Sequence, residues 1–219
     1  MSRNYAGLST ERIIVEALRI IDGQGLRRLT MRRLGDALEV EAMAIYHHFP
    51  LGKEQLFDAI VEYITDVSPS GASQDDAEED GDPAAAPPDE ERPWDERLRA
   101  WARDYRTALL DHSGALSLLI NRRPDTAAAM RSLEMHYAAF AEAGLTGRAI
   151  VEAAAALDSY VTGAVIHQVR GEGLASPHPA AMDGRYPHVA RLTEEETTPE
   201  QRFSAGLETL LAALARNSG

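Results

Sequence analysis

The sequence predicts an all-α fold, because apolar residues recur at helical spacing through both halves of the 219-residue chain. Glycine, proline and capping residues interrupt that pattern where helices should begin and end. No segment of useful length shows the alternation of apolar and polar residues that is typical of a strand. We therefore expect an N-terminal three-helix helix-turn-helix domain followed by a C-terminal helical domain.

Two helices are expected at the start of the chain. Ser9 is placed to cap the first, whose apolar residues recur at helical spacing until Gly23 and Gly25 end it. Thr30 is placed to cap the second, which has Met31 and two leucines on its inner face.

Two further helices complete the N-terminal domain. A tight connection at Val40 and Glu41 leads to a short third helix, expected from Ala42 to His47. Pro50 and Gly52 interrupt the chain before a fourth helix, expected to run from residue 53 to residue 67. Two short helices joined by three or four residues and packed against a longer one form a helix-turn-helix.

An acidic, proline-rich segment divides the chain. Residues 68–92 contain nine acids and only one basic residue, Arg92, for a net charge of -8. Such a composition cannot bury a core, so we expect a disordered linker at residues 68–93. The linker would separate a helix-turn-helix domain at residues 1–67 from a second helical domain at residues 94–219.

The C-terminal domain shows helical spacing again. Its first helix carries five large apolar residues on one face: Trp94, Leu98, Trp101, Tyr105 and Leu109. A second helix is expected from about residue 125 to residue 143, ending at Gly144. A long Ala-rich helix and a last helix follow, and Thr198, Pro199 and Gln201 form a capping box with a first-turn proline for the latter.

Composition limits the classes of function. The chain has 44% hydrophobic residues, no cysteine and a net charge of -13. No apolar run approaches the roughly 20 residues that cross a bilayer, and the N-terminus has no apolar signal core. We therefore expect a cytoplasmic protein with no membrane contact.

The stretch EAMAIYHHFPLGKEQLF, residues 41–57, raises three interpretations: a metal site, an ordinary helix end and a nucleic-acid contact. Adjacent histidines on a helix point about 100° apart, whereas helical metal ligands need a spacing of three or four residues. The other histidines are scattered, so we expect no metal and no cofactor. No phosphate-binding loop or nucleophile elbow is present, so we expect no enzyme, although a simple hydrolase or transferase stays open.

The nucleic-acid interpretation accounts for more of these residues. The second helix of a helix-turn-helix lies in the major groove and places its N-terminal residues at base edges. We expect Ala42, Met43, Ala44, Tyr46 and His47 to point outward. In the alternative interpretation the tyrosine and the histidines only cap a small core.

Local charge agrees with such a contact. Residues 1–53 contain eight arginines and lysines against six acids, for a net charge of +2. Four of these arginines lie within seven residues, at positions 27, 28, 32 and 33. A basic cluster of this kind is more often a solvated face than a binding site, so it supports the interpretation only together with the helix-turn-helix.

The stretch GLRRLTMRRLGDALEVEAMAIYHHFPLGKEQLFDAI resembles the N-terminal DNA-binding domain of the TetR family of bacterial transcriptional regulators. The second half is similar to the tetracycline-repressor branch of that family. The matching pieces there are the tryptophan-rich helix from Trp94 to His112, the RRP at residues 122–124, the AGL at residues 143–145 and the leucine-rich last helix.

This resemblance implies a homodimeric, ligand-responsive repressor that binds a palindromic operator in double-stranded DNA and is released by a small-molecule effector. The residues that it implies at the DNA are Thr30, Arg32, Ala42, Met43, Ala44, Tyr46, His47, His48 and Lys53. A regulator that is ligand-independent or activates transcription is the first alternative, and a helical ligand-binding or enzymatic protein is the second. Three residues separate Phe49 from Lys53, where the family commonly has two.

The resemblance also implies an effector pocket in the C-terminal domain. Its expected ligand-binding residues are Trp101, Tyr105, Arg123, Met130, His136 and His167. The alternative for the first two is that they are core aromatics at helical spacing. Leu119 and His167 stand where the tetracycline branch has the histidine and glutamate that serve drug-bound magnesium, which disfavours a magnesium-tetracycline effector.

Overall fold

The computed structural model describes residues 7–67, 92–122, 126–171, 186–188 and 197–216. These residues form nine α-helices of at least six residues, two short 3-10 turns and no strand, which confirms the all-α prediction. The helices are α1 Thr10–Gln24, α2 Met31–Leu38, α3 Ala42–His48, α4 Lys53–Thr65, α5 Trp94–Asp111, α6 Leu116–Asn121, α7 Ala127–Glu142, α8 Arg148–Gly171 and α9 Pro199–Arg216.

The chain divides into two compact units, Met1–Ala139 and Phe140–Gly219. The first unit holds α1 to α6 and most of α7, and the second holds the end of α7 with α8 and α9. The predicted linker lies outside the described residues except for its last two positions, 92 and 93. The domain boundaries expected from the sequence therefore stay a prediction.

The predicted helix caps are present. The Ser9 and Thr30 side chains accept hydrogen bonds from backbone N–H groups three residues later, each at 3.1 Å. At the start of α9 the Thr198 hydroxyl accepts from the Gln201 N–H at 3.1 Å, while the Gln201 side chain accepts from the Thr198 N–H at 2.8 Å. This reciprocal pair is the predicted capping box.

The helix-turn-helix of α2 and α3 packs on α1 around fully buried residues such as Ile13, Leu34 and Ile45. The three-residue turn between the two helices starts at Glu39, whose φ of 58° lies in the left-handed region. A Cβ at Gly35 would lie 3.0 Å from the Val40 carbonyl oxygen. The turn is therefore tight enough to require a glycine on the helix before it.

Helix α4 continues the first unit from the helix-turn-helix to α5 and α6, against which it packs. It ends at Thr65, two residues before the predicted end, where the Thr65 hydroxyl donates to the Val61 carbonyl at 2.8 Å. A second connection joins the end of α1 to the turn after α5. There His112 Nδ1 lies 2.9 Å from Asp22 Oδ2, and a Cβ at Gly114 would lie 2.8 Å from the Ile21 carbonyl oxygen.

In the second unit α8 packs against α9. The Tyr160 ring stacks on Phe203 at 5.7 Å between centroids, and its hydroxyl donates to the Phe203 carbonyl at 2.6 Å. Gly206 leaves room for this ring, because a Cβ there would lie 2.9 Å from the Tyr160 ring. Helix α8 is long and apolar enough to cross a membrane by length and composition alone, yet only 28% of its most apolar stretch is buried within the chain.

Candidate functional site

Helix α3 carries six of the nine residues that the sequence assigns to DNA, and three of the six are exposed. Met43 is 62% exposed, Tyr46 is 38% exposed and His47 is also exposed, while Ala42 is half-buried. The helix has seven residues and is held from below by Ile45, which is fully buried. Its outward side chains can therefore meet a surface without any change in the domain core.

The outward orientation predicted for Ala44 is wrong. Its side chain is only 2% exposed, and it shares the inward face of α3 with Ile45. A seven-residue helix that packs on two neighbours must bury more than one position per turn, and a methyl group at Ala44 lets α3 approach the core closely. Ala44 thus supports the position of α3 and does not present its side chain.

Three of the residues that the resemblance assigns to the DNA have partners within the domain. Thr30 Oγ1 already accepts the capping hydrogen bond of α2, although the residue is exposed. His48 is half-buried, with Nδ1 3.3 Å from the Thr10 hydroxyl at the start of α1. Lys53 is the first residue of α4, and its Nζ lies 5.0 Å from the centroid of the Phe57 ring.

The turn before Lys53 is shaped by the three residues between α3 and α4. Gly52 has a φ of 72°, and a Cβ there would lie 3.3 Å from the Tyr46 ring. Leu51 is 81% exposed, and its N–H donates to the Gln55 side chain at 3.0 Å. The extra residue is thus accommodated as an exposed apolar tip beside α3.

The basic cluster is divided between two elements. Arg27 and Arg28 lie in a 3-10 turn, whereas Arg32 and Arg33 lie on α2. None of the four forms an ion pair with another residue of the described ranges, and three are exposed while Arg33 is half-buried. These guanidinium groups are available to an anionic surface.

Arg122 connects the end of α6 to α4. Its guanidinium donates hydrogen bonds to the Glu54 and Asp58 carboxylates, and its Cζ lies 5.2 Å from the Phe57 ring centroid. The hydrogen bond to Glu54 is the main reason that the pKa of Arg122 is raised. Phe57 therefore contacts two cations, Arg122 from α6 and Lys53 from the start of its own helix.

A cleft lies among the end of α4, α5 and α7, all within the first unit. It contains about 550 Å³ of empty space, part of it open to solvent. Thr65 and Val67 line it from the end of α4, Trp101 lines it from α5, and Ser132 and Met135 line it from α7. A concave site that combines apolar side chains with polar and charged groups is typical of small-molecule binding.

An aromatic group stands beside this cleft. Trp101 and Tyr105 stack with their centroids 5.0 Å apart and their planes at 28°. The His136 ring meets Trp101 edge to face at 4.1 Å. Trp101 and Tyr105 are each 8% exposed and His136 is 5% exposed, so these side chains also have the burial that the core interpretation requires.

Two nitrogens of this group are buried without a hydrogen-bond partner in the described structure, Nε1 of Trp101 and Nε2 of His136. The other ring nitrogen of His136 bonds to the backbone of Ser132 one turn earlier. Burial lowers the pKa of His136 to about 4, so the ring is neutral at pH 7. An unpaired buried polar atom costs about 1–3 kcal/mol, which a suitable ligand would recover.

Of the three remaining predicted ligand residues, only Met130 is described within the first unit. Met130 lies on α7 but is 52% exposed and does not line the cleft. His167 is exposed on α8 in the second unit, and Arg123 lies outside the described residues. The first unit therefore does not contain a pocket formed by all six residues.

The charged lining of the cleft was not predicted from the sequence. Arg97 is buried on α5, one turn before Trp101, and Arg131 lies on α7 one residue before Ser132. The signal was present, because Arg97 and Trp101 have the four-residue spacing that places side chains on one face of a helix. Within the described residues no group of three or more histidines and carboxylates is arranged to hold a metal ion.

Comparisons with known proteins give family matches for both halves of the chain. A family model described as "Bacterial regulatory proteins, tetR family" matches residues 3–60, and one described as "Tetracyclin repressor-like, C-terminal domain" matches residues 86–217. An HTH-type transcriptional regulator of Saccharopolyspora erythraea is 26% identical over 230 residues, which cover 100% of this chain and 89% of the relative.

Two further relatives are similar over nearly the whole chain. The HTH-type transcriptional repressor DrrR1 of Streptomyces coeruleorubidus is 27% identical over 224 residues, covering 94% of this chain and 77% of the relative. The fold is similar to Streptomyces coelicolor ActR, a TetR family protein solved in complex with actinorhodin, with a TM-score of 0.72 and 23% identity over 98% of this chain and 100% of ActR. The chain therefore belongs to the TetR family of bacterial transcriptional regulators.

Proposed function

We propose that the protein is a ligand-responsive transcriptional repressor that binds a palindromic operator as a homodimer and releases it when an effector binds. The observation that best supports this proposal is that α4 runs from the helix-turn-helix to the cleft. Its first residue, Lys53, follows the exposed helix α3, and its last turn at Thr65 lines the cleft. One helix thus spans both candidate surfaces within a single compact unit.

DNA recognition is assigned to the exposed side chains of α3. Met43 offers an apolar contact to thymine methyl groups, while Tyr46 and His47 offer hydrogen-bonding groups. Arg32 and the neighbouring arginines supply charge for phosphates, and they do so on a chain whose net charge is -13. The acidity of the rest of the chain disfavours binding at other surfaces.

Dimerisation is assigned to the second unit. Helix α8 is rich in alanine and apolar, but little of its most apolar stretch is buried by its own chain, and Val151 is 51% exposed. A second copy of the unit would cover such a surface, as the resemblance to the family implies. A symmetric dimer would place two copies of α3 against successive major grooves, which matches a palindromic site in DNA. The proposed DNA binding also supports a cytoplasmic location.

Release of DNA is assigned to a movement of α4. A ligand that fills the cleft contacts Thr65 and Val67 at one end of this helix. Arg122 holds Glu54 and Asp58 near the other end, so a shift of α6 would also reach the DNA-binding side. Coupling of about 1–3 kcal/mol between the two sites, typical of allosteric proteins, would change DNA affinity by about 5-fold to 150-fold.

The first experiment identifies the operator. Genomic fragments bound by the purified full-length protein are sequenced, and the enriched site is used in fluorescence anisotropy titrations. We expect a palindromic site and a loss of affinity of about 5-fold to 150-fold for Tyr46→Ala, since a good base contact is worth about 1–3 kcal/mol. Tyr63→Ala is the matched control, because Tyr63 is 40% exposed on α4 and has no assigned role.

The second half of the experiment adds candidate effectors to the protein–operator complex. Release of DNA by one compound, reversed on its removal, supports the repressor proposal. A specific site that no compound releases would leave a ligand-independent regulator, and rising transcripts from neighbouring genes in the presence of the protein would indicate an activator. Equal affinity for all fragments would contradict the proposal as a whole.

A further inference from the structure

We propose that Leu51, at the tip of the turn between α3 and α4, recognises a thymine of the operator by packing on the methyl group of that base. This inference rests on the proposed binding of DNA through α3, and it adds a base-recognising residue outside that helix. Three observations carry it: the exposure of Leu51, the rigid turn that presents it, and its place between two residues assigned to DNA.

The first observation is the exposure of Leu51. At 81% it is the most exposed large apolar side chain in the described part of the chain. Single exposed apolar residues are common, so this value alone indicates nothing. The two ends of the same turn are enclosed, however, since Phe49 is 2% exposed and Gly52 is buried. The turn is therefore anchored in the domain at both ends and presents the leucine to solvent.

Hydrogen bonds fix the backbone that carries Leu51. The Gly52 N–H donates to the Phe49 carbonyl at 2.8 Å, which closes a four-residue turn with Pro50 and Leu51 at its centre. The Leu51 N–H donates to the Gln55 side chain, in the first turn of α4, at 3.0 Å. A side chain on a fixed backbone has less freedom to lose on binding than one on a mobile loop. The turn is thus preorganised to present its leucine.

The turn lies beside residues that are assigned to DNA. A Cβ at Gly52 would lie 3.3 Å from the Tyr46 ring, so the backbone next to Leu51 passes close to that ring. Tyr46 is partly exposed on α3, and Lys53 follows Gly52 as the first residue of α4. Leu51 therefore lies between a tyrosine proposed at base edges and a lysine proposed at the phosphates. A DNA duplex that meets both of these residues would also meet the leucine.

The chemistry of leucine selects its partner on the DNA. In the major groove the apolar group on the base edges is the C5-methyl group of thymine. A phosphate is a poor partner, because leucine would displace its water without offering a hydrogen bond. Met43, in the first turn of α3, is already proposed to contact a thymine methyl group. Leu51 follows the last turn of that helix, so the two side chains predict two separate thymines in each half-site.

The first test uses the full-length protein and the operator found for the proposed function, in fluorescence anisotropy titrations. Leu51→Ala should weaken operator binding about tenfold, because most of the apolar contact is removed. The salt dependence of the affinity should stay unchanged, since no phosphate contact is lost. Thermal unfolding of the variant should match that of the unaltered protein, because substitutions of exposed side chains change stability little.

The second test identifies the base. Uracil pairs as thymine does but lacks the C5-methyl group, so each thymine of one half-site is replaced by uracil in turn. We expect one position at which uracil lowers the affinity of the unaltered protein about fourfold and leaves that of Leu51→Ala unchanged. Such non-additivity indicates that the two groups are in contact. A thymine recognised by Met43 should instead lose the same factor with both proteins.

Two further variants serve as controls. Ile120→Ala removes a comparable apolar side chain that is 62% exposed on α6, and it should change neither the operator affinity nor any uracil effect. Lys53→Gln removes a proposed phosphate contact, so it should weaken binding and also reduce its salt dependence. Leu51→Ala and Lys53→Gln are therefore distinguished by their response to salt.

Every outcome decides the role of Leu51. Operator affinity that Leu51→Ala leaves unchanged would overturn this inference, and so would a weakened variant that retains every uracil effect of the unaltered protein. In both cases the specific operator would still support the proposed function. Without any specific operator the proposed function fails, and the role of Leu51 fails with it.

Discussion

The helix-turn-helix and the cleft belong to one compact unit, yet their buried side chains differ in polarity. Around α2 and α3 the buried side chains are apolar, and Leu34 and Ile45 are completely enclosed. Beside the cleft, Trp101 and His136 are buried with polar atoms that no described residue satisfies. The first region is therefore held by apolar packing alone, whereas the second keeps hydrogen-bonding groups among its buried side chains.

The largest effect on the free energy of unfolding is expected from a substitution that disrupts the helix-turn-helix. In Gly35→Val the new Cβ would lie 3.0 Å from the Val40 carbonyl oxygen and 3.3 Å from the Ala42 nitrogen, both of which are backbone atoms. The turn between α2 and α3 cannot open without moving α3. We expect a loss of about 3 kcal/mol in the free energy of unfolding, measured by urea denaturation, together with loss of operator binding.

Gly23→Ala is the control for this change. Gly23 lies inside α1, and a Cβ there would meet no atom within 4 Å. Alanine should stabilise the helix by about 0.5–1 kcal/mol. If Gly35→Val were as harmless as Gly23→Ala, the turn would be looser than its geometry indicates.

The next prediction concerns the acid sensitivity of the cleft. His136 is buried as the neutral ring with a pKa of about 4, whereas its pKa in the unfolded chain is about 6.5. The unfolded chain therefore binds the extra proton first, and the folded state loses stability as the pH falls from 6.5 towards 4. From these two values the loss at pH 5 is about 2 kcal/mol.

His136→Phe should remove this part of the acid dependence. At pH 7 its free energy of unfolding should match that of the unaltered protein or exceed it, because phenylalanine leaves no unpaired nitrogen. Urea denaturation at pH 7 and pH 5 measures both effects, with His167→Phe as the control at an exposed histidine of the second unit. An unchanged difference between the two pH values in His136→Phe would show that His136 is not the group responsible.

The same contrast explains how much the sequence could predict. The helix order, the caps at Ser9 and Thr30 and the capping box of α9 were all readable, because they depend on neighbours within four residues. The outward position of Ala44 was misjudged, since a small residue carries no signal of which face it occupies. The helical spacing of the neighbouring residues alone could not decide whether Ala44 packs on the core.

The cleft was harder to predict because its residues are distant in sequence. Trp101 and His136 could be named as candidates, but their contact joins residues on two different helices. The role of Arg131 depends on how α7 lies against α5 and on the Asp66 carboxylate at the end of α4. Met130 was chosen by its chemical type, and the helical rotation that exposes it follows only from packing in three dimensions.

The smallest effect on the free energy of unfolding is expected at Glu39, in the turn between α2 and α3, where the backbone is strained. Glu39 has a φ of 58°, the only positive φ of a non-glycine residue in the described part of the chain. A left-handed backbone conformation costs a residue with a Cβ about 1–2 kcal/mol, and glycine avoids this cost. Glycine also makes the unfolded chain more flexible, which offsets part of that gain. Glu39→Gly should therefore raise the free energy of unfolding by up to about 1 kcal/mol.

Glu41→Gly is the matched change, because it removes the same charge from the same turn. Glu41 has a φ of -72° and a ψ of 144°, and it makes no capping hydrogen bond through its side chain. Glycine there relieves no strain and adds flexibility only to the unfolded chain, so we expect a loss of about 0.5 kcal/mol. Thermal unfolding of both variants should give shifts of opposite sign. Shifts of the same sign would mean that removal of the charge, and not relief of the left-handed backbone, determines the stability of this turn.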